Sequence, residues 1–116
     1  MPEGHTIHRA ARDHHQIFAN QILKISSPQG RFADGANIIS ENFCINVEAF
    51  GKHLLYHFKN NKTLHIHLGL FGRIRKNKLP LREPKGAVRV RLVGQTHVVD
   101  INGPTICRVL ETPNAL

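Results

Sequence analysis

One change of period governs what this chain can fold into. Residues 3–19 place Ile7, Ala10, Ala11, His14, Ile17 and Phe18 at three- and four-residue spacing, with Arg9, Arg12, Asp13 and Gln16 facing the other way and Asn20 as a stop. That is one amphipathic helix. From residue 21 onward the period falls to two. Residues 21–27 read as a short strand closed by the turn cluster Ser27-Pro28-Gln29-Gly30. Residues 31–39 are interrupted by Gly and Asp and make a weak strand at best. Phe43, Ile45 and Val47 alternate with Cys44, Asn46 and Glu48, a half-buried strand. Residues 53–59 and 63–68 are two more, joined by Asn60-Asn61-Lys62, where Asn tolerates the left-handed backbone of a hairpin turn. Residues 72–76 and 87–93 alternate again on either side of a loop holding Pro80 and Pro84. Residues 97–101 complete a hairpin over Gly94-Gln95-Thr96, and residues 104–110 suit either a strand or one helical turn. The expected fold is α+β and mostly β, with the N-terminal helix packed on a two-sheet antiparallel β-sandwich. At 116 residues the chain is expected to be one domain, 1–116.

Charge narrows the class of partner. Lys and Arg number 16 against 8 Asp and Glu, a formal +8 before nine His are counted. Such a surface favours polyanions, nucleic acid first and an anionic membrane second. Cys44 and Cys107 each lie inside an apolar run and far apart, as buried thiols of a reducing compartment do. The start lacks a basic-then-apolar signal pattern, and no apolar run approaches about 18 residues. A cytoplasmic, nucleoid-associated protein without a membrane partner is expected.

Several short stretches carry chemistry. Met1 precedes a proline, and trimming it would expose Pro2 as a free secondary amine. An α-amine titrates near pH 8, so a useful fraction is nucleophilic at neutral pH. Attack on a carbonyl-like carbon gives a charged iminium, an electron sink, and Glu3 beside it could move the accompanying proton. Pro-Glu also suits an ordinary helix entry. Lys52 follows Phe50-Gly51 and opens a strand, where it could bind phosphate, act as an acid or be a solvated edge lysine. Arg73 and Arg75 share one strand face opposite Ile74, and Arg89 and Arg91 share another opposite Val88, Val90 and Leu92. A sheet with a basic face can lie along a phosphate backbone. Gly69-Leu70-Phe71-Gly72 puts two apolar side chains where a loop should be polar, either wedges for an unstacked base site or residues folded back into the core. His65 and His67 sit two apart on one strand and His5, His8, His14 and His15 crowd the helix, yet no Cys or acid lies at ligand spacing, so no metal is expected. His67 is read as a phosphate or backbone hydrogen-bond donor.

Taken together, Met1-Pro2-Glu3-Gly4, the amphipathic helix, Gly51-Lys52-His53-Leu54-Leu55 and His67-Leu68-Gly69-Leu70-Phe71-Gly72 resemble the N-terminal domain of the formamidopyrimidine-DNA glycosylase and endonuclease VIII family, closer to the endonuclease VIII branch. The resemblance spans nearly the whole chain. It implies a base-excision-repair glycosylase and abasic-site lyase, acting as a monomer on damaged duplex and abasic-site DNA, with oxidised pyrimidines favoured. Pro2 would attack C1′, Glu3 would protonate the sugar or its ring oxygen, and Lys52 would contact phosphate and donate a proton in β-elimination, with δ-elimination able to follow. Leu70 and Phe71 would fill the hole left by a flipped base. The family's helix–two-turn–helix and zinc-finger half has no counterpart in residues 1–116, so no cofactor is expected in this chain. Thr6 stands where many relatives carry a second glutamate, and Gly69 where some carry glutamine, both bearing on base preference. Two alternatives stand beside this reading: a truncated DNA-binding module with little turnover, and a tautomerase-like enzyme using an N-terminal proline base.

Overall fold

The computed structural model describes residues 4–112. Helix α1, Gly4–Phe18, buries Ile7, Ala11, His14 and Phe18, one stripe at four- and three-residue steps. Asn20 ends it in the left-handed region, φ 65, and donates its N–H to Cys44 O at 2.8 Å. Eight strands follow: β1 (Gln21–Ser26), β2 (Asn42–Phe50), β3 (His53–Phe58), β4 (Lys62–His67), β5 (Arg73–Lys78), β6 (Val88–Val93), β7 (His97–Asn102) and β8 (Ile106–Glu111). The ambiguous segment near residue 106 is therefore a strand, and Asn61 takes the left-handed turn expected of it, φ 63.

The weak strand expected at 31–39 is instead a short helix, α2 (Ala33–Ile39). Ala36 and Ile39 are buried one helical step apart, which a two-residue alternation could not achieve. Gly35 is part of the reason. The Phe32 ring occupies the space a Cβ on residue 35 would need, so the aromatic ring can tuck beneath the helix.

The strands form one hydrogen-bonded order, β5-β7-β6-β1-β2-β3-β4-β8, with antiparallel neighbours throughout. β1 makes this possible by dividing its length. Gln21, Ile22 and Leu23 pair with β2, while Lys24, Ile25 and Ser26 pair with β6. Where β1 leaves one neighbour, side chains complete the ladder. Ser40 Oγ accepts the Ile25 N–H at 2.9 Å, and His15 Nδ1 accepts the Val47 N–H at 3.2 Å. Apolar residues from both ends of this order, among them Leu54, Tyr56, Leu64, Val90, Leu92 and Ile101, belong to one core cluster with Ile7 and Phe18 of α1.

Cys44 and Cys107 are free thiols, and burial pushes each up to about 12, far from reactive thiolate. Among the described residues no helix is long and apolar enough to cross a membrane.

One polar pair crosses the core. His14 Nδ1 and Tyr56 Oη share a hydrogen bond of 2.7 Å, with the rings stacked at 5.9 Å. Burial lowers the His14 pKa from 6.5 to about 4. The unfolded chain therefore binds more protons than the folded chain between those values. The contribution is whole above pH 6.5 and is lost as the pH falls through 4, to a total of roughly 3 kcal/mol. Urea unfolding followed from pH 7 to pH 4 should show stability falling across that window. His14→Gln should lower stability at neutral pH yet flatten the acid slope by on the order of one proton.

Candidate functional site

The site forms at one end of the sheet, where two turns share a register. His53 pairs with Phe50 on β2 and with His67 on β4, and His67 pairs with Ile106 on β8. The β2–β3 turn, Gly51-Lys52, and the loop after β4 therefore leave the sheet side by side. Gly51 has φ 59 at the first of the two turn positions, the place where a tight hairpin asks for glycine. Lys52 is exposed at the second.

The loop after β4 is shaped by its two glycines. Gly69 has φ 67, and the Thr105 hydroxyl occupies the place of any Cβ it could carry. Gly72 donates its N–H to Leu68 O at 3.1 Å, and the Leu68 backbone fills the place of its Cβ. With Leu68 buried as the anchor, the two residues between the glycines are thrown outward. Leu70 is 59% exposed and Phe71 80%. They do not fold back into the core. Phe50 is also 73% exposed at this end.

The first turns of α1 close the third side. Thr6, Ile7 and Ala10 line a cleft with Leu68, Gly72 and Arg73. Asp13 of α1 accepts a 2.7 Å ion-pair hydrogen bond from Lys76 Nζ, which fastens the helix to β5 and lowers the Asp13 pKa. Pro2 and Glu3 lie outside the described residues; Gly4, directly after them, opens the helix.

The four arginines do not form a common free face. Arg73 and Arg75 are exposed, and Arg75 Nη1 reaches Lys85 O at 3.4 Å. Arg89 is half-buried at a bulge between Val88 and Val90, and its Nε donates to Gln29 Oε1 at 3.1 Å. Arg91 corrects the expectation. It is only 7% exposed. Its Nε and Nη2 donate to the two Asp100 oxygens at 2.7 and 3.0 Å, and Nη2 also donates to Arg82 O at 2.8 Å. The Asp100 carboxylate raises the Arg91 pKa above its already high value. Alternation did put Arg91 on the face opposite the core. However, register brings Arg91, Asp100 and Arg75 into one row, and the segment between β5 and β6 folds back over it. Nothing in a lone strand's pattern announces Asp100 as the neighbour.

The histidines that had looked incidental are partly assembled here. His53 Nδ1 and His65 Nε2 are 2.8 Å apart, and Arg108 Nε donates to His65 Nδ1 at 3.0 Å. His67 lies with its ring 4.9 Å from that of His53, and its Nδ1 is buried without a partner among the described residues. The two-residue spacing of His65 and His67 was the available signal; Arg108 and His53 join them only through strand register. Among the described residues no group of three or more His, Cys, Asp or Glu is placed to hold a metal ion.

Comparison with known proteins decides the family. Residues 1–104 match the family model described as formamidopyrimidine-DNA glycosylase N-terminal domain. The chain belongs to that family. It is 44% identical over 115 residues to proteins named Endonuclease 8 1 from Mycobacterium bovis and Mycobacterium tuberculosis, covering 96% of this chain and 43% of theirs. The chain thus spans less than half the length of the curated relatives it matches. In fold it is similar to MutM solved in complex with DNA containing carbocyclic 8-oxo-G, with a TM-score of 0.81 at 15% identity, over 98% of this chain and 46% of that one. Lactococcus lactis Fpg (MutM), solved with DNA containing an oxidised pyrimidine, gives 0.79 at 14% identity over the same shares.

The two kinds of arginine separate in a stability measurement. Arg91→Met strands a buried Asp100 carboxylate and should cost about 3 kcal/mol or more, whereas Arg73→Met, on the surface, should stay within about 0.5 kcal/mol. Chemical denaturation at neutral pH checks both.

Proposed function

We propose that this chain is the catalytic N-terminal domain of a bifunctional DNA glycosylase and abasic-site lyase that acts on oxidised bases, pyrimidines foremost. The observation that carries this reading is convergence. Lys52, the exposed Leu70-Phe71 pair and the start of α1 all meet at one end of the sheet. The match to relatives named Endonuclease 8 1 supports the endonuclease VIII branch, and the resemblance to that branch is what implies oxidised pyrimidines.

The steps follow from the residues. Leu70 and Phe71 enter the duplex where the damaged nucleotide has turned out of the stack, offsetting part of the unstacking cost. The neutral Pro2 nitrogen attacks C1′, the glycosidic bond breaks, and the base leaves with the bonding pair and takes up the proton that the Pro2 N–H gives up. Glu3 gives a proton to the ring oxygen as the sugar opens, leaving an iminium between Pro2 and C1′. The iminium acidifies C2′. Loss of that proton expels the 3′ phosphate, with Lys52 supplying a proton beside the departing oxygen, and a second elimination expels the 5′ phosphate. Water then releases Pro2. Arg73 and Arg75 provide phosphate contacts at the edge of the sheet.

Base excision and lyase action ask different things of the site. An abasic site has no base to extrude and opens to an aldehyde unaided, while an intact lesion must be flipped at a cost of a few kcal/mol. Lyase action at abasic sites should therefore be the less demanding of the two reactions and exceed excision of an intact lesion. A domain that binds DNA without turnover is the competing outcome.

Borohydride should trap a covalent adduct with abasic-site DNA, and peptide mapping should place it on Pro2. An adduct on Lys52 would overturn the assignment, and no adduct or strand cleavage above Pro2- and Glu3-substituted controls would favour the inert module. Binding to the same DNA should weaken steeply with salt, and Arg73→Met should lower the log–log slope by about one. Arg91→Met, where it folds, should leave that slope unchanged.

A further inference from the structure

We propose that Arg108 and His65 are positioning residues that fix the ring proton of His53 on Nε2, so that His53 offers a neutral hydrogen-bond donor to a DNA phosphate beside Lys52. This deepens the function proposed above and rests on it.

The inference follows from which atoms can donate. An arginine Nε always carries hydrogen and never accepts. Its contact with His65 Nδ1 at 3.0 Å therefore makes that nitrogen the acceptor. A neutral His65 then carries its proton on Nε2, the atom 2.8 Å from His53 Nδ1. His53 Nδ1 must in turn accept, which leaves the His53 ring proton on Nε2. The opposite polarity would require a His65 ring with no proton on either nitrogen. Strand register enforces the order, since His65 lies opposite Arg108 on β8 and His53 lies opposite His67 on the neighbouring row. Burial independently lowers the His65 pKa to about 4, with the Arg108 charge acting in the same direction, so the ring is neutral at working pH.

The location gives the relay its use. His53 directly follows Lys52 in the chain, and its ring lies 4.9 Å from that of His67 at the sheet end where the Leu70-Phe71 loop departs. His53 Nε2 has no partner among the described residues, and the residue is half-buried rather than buried. Glu48, an acid on this face, is held by His57 Nε2 at 2.5 Å, so it does not compete for the His53 proton. A phosphodiester oxygen is the acceptor a fixed N–H beside a lysine suits. Because the donor is neutral, it adds a directed contact without releasing a counterion.

That last property separates this role from that of the neighbouring cation. The probe is a duplex carrying a tetrahydrofuran abasic analogue, which the lyase step cannot cleave. His53→Ala should weaken binding about tenfold while leaving the salt slope unchanged, and His53→Gln, which keeps a donor near the same place, should restore most of it. Lys52→Met should instead lower the slope by about one. Arg108→Lys keeps the charge but not the fixed Nε–H, so it should weaken binding severalfold, again at constant slope. Long-range nitrogen–proton correlation spectra of the histidine rings should show Nε2–H alone on both His53 and His65, and a mixture in Arg108→Lys. An Nδ1–H or doubly protonated His53 at neutral pH would overturn the relay, and unchanged affinity in His53→Ala would overturn its use. If the unsubstituted protein ignores the duplex, the DNA reading of the whole site fails, while the spectra still decide whether the relay exists.

Discussion

The division of β1 between two neighbours is the constraint from which the rest of the molecule follows. A strand's N–H and C=O groups alternate between its two edges, so every stretch of it needs partners for the edges it presents. β1 gives three residues to β2 and three to β6. The far half of β2 is left without a neighbour on one edge. α1 covers that edge, with His15 accepting the Val47 N–H and with its buried stripe against the same core. The same arrangement lays the opening turns of α1 against Leu68 and Gly72. The end of the chain that carries Pro2 and Glu3 thus leads into the helix whose first turns border the wedge loop.

Backbone geometry then decides what that end of the sheet can present. Gly51 permits a two-residue turn, so Lys52 stands only one position from the His53–His67 pair. Gly69 and Gly72 permit a loop so tight that other parts of the chain fill the places of their Cβ atoms. Leu70 and Phe71 have no room inward and are presented to solvent at a local hydrophobic cost. An exposed apolar pair of this kind marks a surface that meets something apolar.

What was legible in the sequence was whatever depends on neighbours along the chain. The stripe of α1, the hairpin at Asn61 and the alternating strands are local signals, and so are the glycines that frame Leu70 and Phe71. α2 was missed because Gly35 and Asp34 look like strand breakers. In the folded chain Gly35 is instead the space into which Phe32 packs. Arg91 was misread because a strand pattern says which side a residue faces and not what lies opposite. Asp100, nine residues on, becomes its partner through the β6–β7 register, and the overlying segment supplies Arg82 O. The His53–His65–Arg108 chain was invisible for the same reason, since it joins three strands. In place of the two-sheet sandwich expected from strand count the strands form one hydrogen-bonded order, a difference hidden in the sequence because nothing local marks β1 as the strand that serves neighbours on both sides.

Net charge and contact charge consequently part company in this protein. The formal +8 sets a long-range field that draws a polyanion toward the whole domain. A phosphate contact requires more, namely a donor not already committed. Arg91 has spent its guanidinium on Asp100, Arg89 has turned its Nε to Gln29, and Arg108 has turned its Nε to His65. Lys76 is paired with Asp13. The committed cations still contribute to the field, because an ion pair or a neutral acceptor does not erase the excess of positive charge over the surface. They also hold rigid the row beneath the β5–β6 segment and the ring of His53. Lys52, Arg73 and His53 keep the capacity for directed bonds. Of the basic residues singled out by alternation, Arg89 and Arg91 are thus tied into the fold, while Arg73 remains among the uncommitted donors that the proposed function assigns to phosphate.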